Sequence, residues 1–156
     1  MSSTAVLEPR QTTGISPTQA SGMTKVNYNN ILYWIRTRLA RASIRYEGKQ
    51  YRHVLMTFAD VLEIAVIAIL RDKGAPTRRI KRALHVLRRL RTTALPLKGH
   101  YLDVTGEPLI LRDVRVQDVV AGQGHVLLIN LGRLEEELRE RARKQHVALP
   151  SNREEE

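Results

Sequence analysis

Apolar and polar positions along this chain repeat first with the period of helices and then, from about residue 99, with the shorter beat of strands. Between Ile15 and Thr37 the sequence ISPTQASGMTKVNYNNILYWIRT predicts two short helices joined by a tight turn. Ser16 is a natural N-cap, Pro17 suits the first helical position, and Gln19 stands where a capping box requires it. Asn27 caps a second helix, Tyr28 to Arg38. In Ala42 to Met56, ASIRYEGKQYRHVLM, β-formers flank Glu47-Gly48-Lys49 and predict a hairpin with glycine at its tip. Thr57 then starts a helix from Phe58 to Lys73. Its Val61, Leu62, Ile64, Ala65, Ile69 and Leu70 cover more than one face, as a core helix must, and Gly74 ends it. The next helix is Thr77 to Arg91. Ile80, Leu84, Leu87 and Leu90 make its apolar stripe, and Arg78, Arg79, Lys81, Arg82, Arg88, Arg89 and Arg91 occupy the remaining surface.

Beyond Gly99 the segments shorten. YLDVTGEPLIL sets a Thr105-Gly106 turn between two apolar stretches, and Val114 and Val116, with Val119 as a further candidate, alternate with polar residues as in a strand. His125 to Leu131 predicts another strand. The last helix, Gly132 to Gln145, carries one narrow stripe of Leu131, Leu134 and Leu138. Such a helix packs on the sheet or on a copy of itself. The pattern therefore predicts an α+β chain. A flexible arm covers residues 1–14, a helical and hairpin part 15–94, a β-rich segment with a closing helix 95–147, and a disordered acidic tail 148–156.

Charge sharpens this division. The formal net charge is +10, but residues 1–98 hold 18 Lys/Arg against 5 Asp/Glu, while residues 99–156 hold 8 against 11. The excess thus belongs to the part with the helix pair, which points to a polyanion there and to another job for the remainder. No cysteine is present, so thiolate zinc sites, disulfides and cysteine nucleophiles are excluded. The best apolar run, Val61 to Leu70, is too short for a bilayer and contains Glu63. No membrane partner and a cytoplasmic location, at the bacterial nucleoid, are therefore expected. With one Phe and one Trp, a base-stacking platform for single strands has little to build on. Asp103, Asp113 and Asp118 have no partnered His or Lys at a telling spacing. His53, His85, His100, His125 and His146 form no metal-ligand pattern. No enzymatic role, cofactor or metal is expected.

Helix pair, charged hairpin, long apolar helix, Gly and a second helix follow one another in the order of MerR-type winged helix-turn-helix proteins, which this chain resembles from Ile15 to Leu90. Val26-Asn27 followed by Ile31-Leu32-Tyr33-Trp34 resembles the family's turn and recognition helix. Tyr51-Arg52 resembles the wing's Tyr-Arg pair. Phe58-Ala59-Asp60-Val61 through Lys73-Gly74 to Arg79-Ile80 resembles the helix pair that follows. Residues 95–147 resemble an antitoxin-like branch with a small β-rich segment. Leu32 stands where the family commonly has Arg, the Gly-Leu-Pro wing signature is missing, and the long dimerising coiled coil of effector-sensing members is absent. The resemblance implies a MerR-like winged helix-turn-helix followed by a helix pair, a small antiparallel sheet and a C-terminal helix. It also implies a double-stranded DNA partner and a homodimer, with residues 99–147 serving as dimer or toxin surface.

On that basis Tyr28, Asn29, Tyr33 and Arg36 are expected to face outward from the second helix, while Ile31, Leu32 and Ile35 hold it to the core. Trp34 is expected to pack in the core. Asn can bond adenine bidentately, tyrosine hydroxyls bind phosphate, and Arg36 and Arg38 would reach backbone or guanine. Asn27 starts the helix, Arg45, Lys49 and Arg52 would line the wing, and Arg78, Arg79 and Arg82 would grip flanking phosphates. Two functions compete with a transcriptional regulator or antitoxin. One is an architectural, excisionase-like protein with little sequence preference, which the arginine-rich helix favours. The other is an RNA-binding protein, for which charge alone argues.

Overall fold

A computed structural model describes residues 14–45, 54–93, 97–122 and 125–149. Among them the chain is a mixed α+β fold with six helices and a small three-stranded antiparallel sheet, besides a short two-stranded pair. Two compact units are distinguished, Met1–Val61 with Ala142–Glu156, and Leu62–Arg141.

Unit 1 begins with an isolated bridge in which Ile15 and Met56 exchange backbone hydrogen bonds at 2.8 Å each way. Helix α1 (Pro17–Thr24) starts on the expected capping box: Ser16 Oγ accepts from the Gln19 amide at 3.1 Å, and Gln19 Oε1 accepts from the Ser16 amide at 3.0 Å. Helix α2 (Tyr28–Arg36) follows after three residues. Strands β1 (Ile44–Arg45) and β2 (Val54–Leu55) pair antiparallel, Ile44 opposite Leu55. The predicted hairpin therefore has both of its stems, and its tip lies outside the described residues. Helix α3 (Phe58–Asp72) opens in this unit. Thr57 Oγ1 accepts from the Asp60 amide at 3.1 Å, so Thr57 is its cap as expected. Asp60, 2% exposed, also accepts from the Ser43 amide at 2.8 Å, the Ser43 hydroxyl at 2.8 Å and the Thr57 amide at 3.0 Å. One buried carboxylate thus ties the start of α3 to the chain entering β1.

Unit 2 contains the rest of α3, then α4 (Thr77–Thr93), β3 (His100–Asp103), β4 (Leu109–Arg112), α5 (Asp113–Gly122), β5 (Leu128–Asn130) and most of α6 (Leu131–Lys144). Gly74, at φ +78°, closes α3 by the Schellman pattern: its own amide bonds Arg71 O and that of Ala75 bonds Leu70 O. Ile80, Leu84, Leu87 and Leu90 are all buried, as the stripe predicts. The sheet order is β4-β3-β5, with Leu102 opposite Ile110 on one side and Ile129 on the other. The Thr105-Gly106 turn is held by Asp103 Oδ1, which accepts from the Thr105 amide at 2.9 Å, and by Thr105 Oγ1, which accepts from the Leu127 amide at 2.6 Å. Asn130 caps α6 through the Arg133 amide at 3.1 Å. A side chain at Gly132 would stand 2.8 Å from the backbone of Lys98, so only glycine lets α6 begin that close to the preceding chain.

The structure departs from the sequence pattern in three places. Residues 113–122 form helix α5, not a strand, and none of them is buried. Val116, Val119 and Val120 also fit a helical i, i+3, i+4 spacing, and in so short a run the two periods are not separable. Helix α2 stops at Arg36 rather than Arg38. Arg88 does not lie on the solvated surface of α4: it forms an ion pair with Glu63, whose side chain is 1% exposed.

No helix among the described residues is long and apolar enough to cross a membrane.

Candidate nucleic-acid interface

The residues that could meet a polyanion in unit 1 are presented by the α1–α2 pair, and the local sequence explains its shape. Lys25 adopts φ +60° at the end of α1, and its amide bonds Ser21 O at 2.9 Å. The turn is then braced by side chains. Ser21 donates to Val26 O at 2.6 Å, Thr24 donates to Ala20 O at 2.7 Å, and the Val26 amide donates to Thr24 Oγ1 at 3.2 Å. Val26 is buried beneath the turn. Asn27 Oδ1 accepts from the Asn29 amide at 2.8 Å, which caps α2 and leaves the Asn27 NH2 as that side chain's outward-facing donor group.

A helix turns 100° per residue, so Asn29, Tyr33 and Arg36, spaced i, i+4 and i+7, share one stripe. All three are exposed, Tyr33 at 58%, and Tyr28 stands beside them at 44%. Ile31 and Trp34 occupy the opposite side, fully and almost fully buried, with Leu32 and Ile35 half-buried between. Asn30, which sequence reasoning passed over, is exposed as well. Its only signal is its polarity, because at 100° per residue it lies about 40° from the buried Trp34, at the margin of the apolar side.

The end of α2 carries strain. The Leu39 amide bonds Trp34 O and the Arg38 amide bonds Ile35 O, a Schellman motif that requires a left-handed residue at Arg38, φ +65°. Glycine is the ordinary occupant of that position, and a side chain costs roughly 1 kcal/mol there. Arg38→Gly should therefore raise stability in urea unfolding by about 0.5–1 kcal/mol. If unit 1 meets a polyanion through this end of the helix, the same variant should bind it more weakly. An unchanged midpoint would mean that the Arg38 side chain makes compensating contacts.

The remaining expected residues are distributed as follows. Arg45 lies in β1 opposite Val54, with its side chain outside what is described, and Lys49 and Arg52 lie outside the described residues. Arg78, Arg79 and Arg82 belong to unit 2, where all three are exposed on α4. Arg82 also forms an ion pair with Glu107 at 2.9 Å. Sequence reasoning missed the end of α6. Gln145 Nε2 donates to Gly22 O of α1 at 2.9 Å, with Ala142 and Val147 buried and Lys144 exposed, so residues 142–149 belong with the helix pair. No local signal marks a contact across 123 residues. Among the described residues, no three His, Asp or Glu side chains converge as a metal site. No family model and no curated protein matches the chain.

Proposed function

We propose that the protein is a DNA-binding transcriptional regulator of the MerR-like winged-helix type, acting as an antitoxin that represses its own operon and binding double-stranded DNA as a homodimer. The observation that carries this reading is the exposed stripe of Asn29, Tyr33 and Arg36 on a short, doubly capped helix pair. An α-helix fits the B-form major groove, where Asn and Arg edges distinguish adenine and guanine. On this reading α2 is the recognition helix, Tyr28 and Tyr33 bond phosphates, and the β1–β2 pair is the stem of the wing. The exposed arginines of α4 favour a second reading, an architectural protein that grips backbone with little sequence preference.

A titration of the DNA upstream of its own gene, against a scrambled competitor and at two salt concentrations, separates the two. A regulator should keep its preference over competitor, and Asn29→Ala and Arg36→Ala should each weaken binding about ten- to hundredfold. Arg78→Ala and Arg79→Ala should weaken both DNAs alike and each lower the salt slope by about one. Equal binding to both DNAs, indifferent to the α2 substitutions, would establish the architectural reading instead. No binding to either would sink both.

A further inference from the structure

Unit 2 holds a groove of about 400 Å³ between α4 and β4, lined by Val86, Arg89, Leu90, Pro108, Leu109 and Ile110. Leu109 and Ile110 are successive strand residues and so point to opposite faces of the sheet. A groove that touches both runs along the outer edge of the strand rather than over one face. Among the described residues β4 is an edge strand, paired with β3 on one side, and Leu109 is 43% exposed. Such an edge offers backbone donors and acceptors to an extended chain, and alternate side chains of that chain can fill the groove beside it.

Charge decides what kind of chain fits. From Thr77 to Thr93 α4 contains no acidic residue, and its solvent side carries Arg78, Arg82 and Arg89. Glu107, next in sequence to the lining residue Pro108, is paired with Arg82. We infer that this groove receives an extended segment of a protein partner in which apolar side chains alternate with carboxylates. The backbone of that segment continues the sheet at β4, its apolar groups cover Val86, Leu90 and Leu109, and its carboxylates meet the α4 arginines. A second copy of this chain fits less well. Pairing two β4 edges about a twofold axis would gather Arg89 and Arg112 of both copies along one seam. The groove lies in unit 2 and the α2 stripe that carries the DNA reading lies in unit 1, while Arg78 and Arg82 of α4 enter both.

The test pans a random dodecapeptide library against the full chain and, in parallel, against the Asn29→Ala/Arg36→Ala protein. Both should enrich peptides in which two or more Asp or Glu alternate with apolar residues. A synthetic peptide of the winning sequence should bind at least tenfold more weakly to Leu109→Asp and to Arg89→Glu than to the parent. Leu109 is exposed enough for the first change to leave thermal unfolding in place. Should it shift the midpoint, the Arg89→Glu comparison decides. The inference is overturned by an enriched set without acidic residues, by no enrichment, or by equal binding to the parent and both variants. It is also overturned if sedimentation shows a parent dimer that Leu109→Asp dissociates, which assigns the edge to a second copy. Loss of DNA binding in Leu109→Asp, with no peptide enriched, would assign the face to nucleic acid.

Discussion

Arg88→Met is expected to lower the stability of the chain by about 3–5 kcal/mol, read as a shift of the urea midpoint followed by circular dichroism. The reason is Glu63. It sits in the second turn of α3 between Leu62 and Ile64, with 1% of its side chain exposed, and the guanidinium of Arg88 on α4 is its counter-charge. Removing Arg88 takes a charged partner from a carboxylate held in an apolar interior, where solvent cannot replace it. Removing both charges is a different experiment. Glu63→Leu combined with Arg88→Met should recover stability to within about 1 kcal/mol of the parent, because two apolar groups of similar volume need no desolvation. A double variant as unstable as Arg88→Met alone would mean that the pair fixes geometry between α3 and α4 that side-chain volume cannot supply.

Asp60→Ala should have the next largest effect, roughly 3–5 kcal/mol. Three donors lose their acceptor at once, the Ser43 amide, the Ser43 hydroxyl and the Thr57 amide, and the bonds being lost are charge-assisted. Ser43→Ala removes one of them and should cost about 1–2 kcal/mol. The difference between the two variants measures what the backbone amides contribute. A functional consequence follows on the DNA reading. Ser43 leads straight into β1, so freeing it should loosen the hairpin and weaken DNA binding under conditions where α2 remains folded. A variant with lowered stability and unchanged affinity would remove the hairpin from the interface.

These two carboxylates also show where the sequence can be read and where it cannot. Ser16, Gln19, Asn27 and Thr57 act on amides two or three residues away, so their caps were legible in the letters themselves. The buried stripe of α4 was legible for the same reason, its period being built into the helix. Asp60 could be read as the third residue of a capped helix but not as the anchor of Ser43, 17 residues earlier. Glu63 stood out as the lone acid of an apolar run. Nothing local said that an arginine 25 residues on, at the margin of a different stripe, would answer it. The end of α2 was misjudged because Arg38 takes a left-handed conformation that glycine or asparagine usually announces. Helix α5 reads ambiguously because Val114 and Val116 fit a strand period while Val116, Val119 and Val120 fit a helical one. In the candidate interface, the exposed stripe of α2 was expected from the winged-helix resemblance, and its i, i+4, i+7 spacing accords with it. The contribution of residues 142–149 did not, because tertiary contact carries no sequence signature of its own.

The bond between Gln145 and Gly22 also has a meaning for the order in which the protein is made. A ribosome delivers Ile15 to Val61 well before Ala142 and Val147, which are buried in that same unit. All of Leu62 to Arg141 must emerge in between, and it can assemble while the first unit is still waiting for its last piece. Joining the two ends closes a loop of 123 residues, a step whose entropic cost grows only slowly with length but which cannot begin early. The helix pair is thus translated before Leu62 to Arg141 and completed only after it.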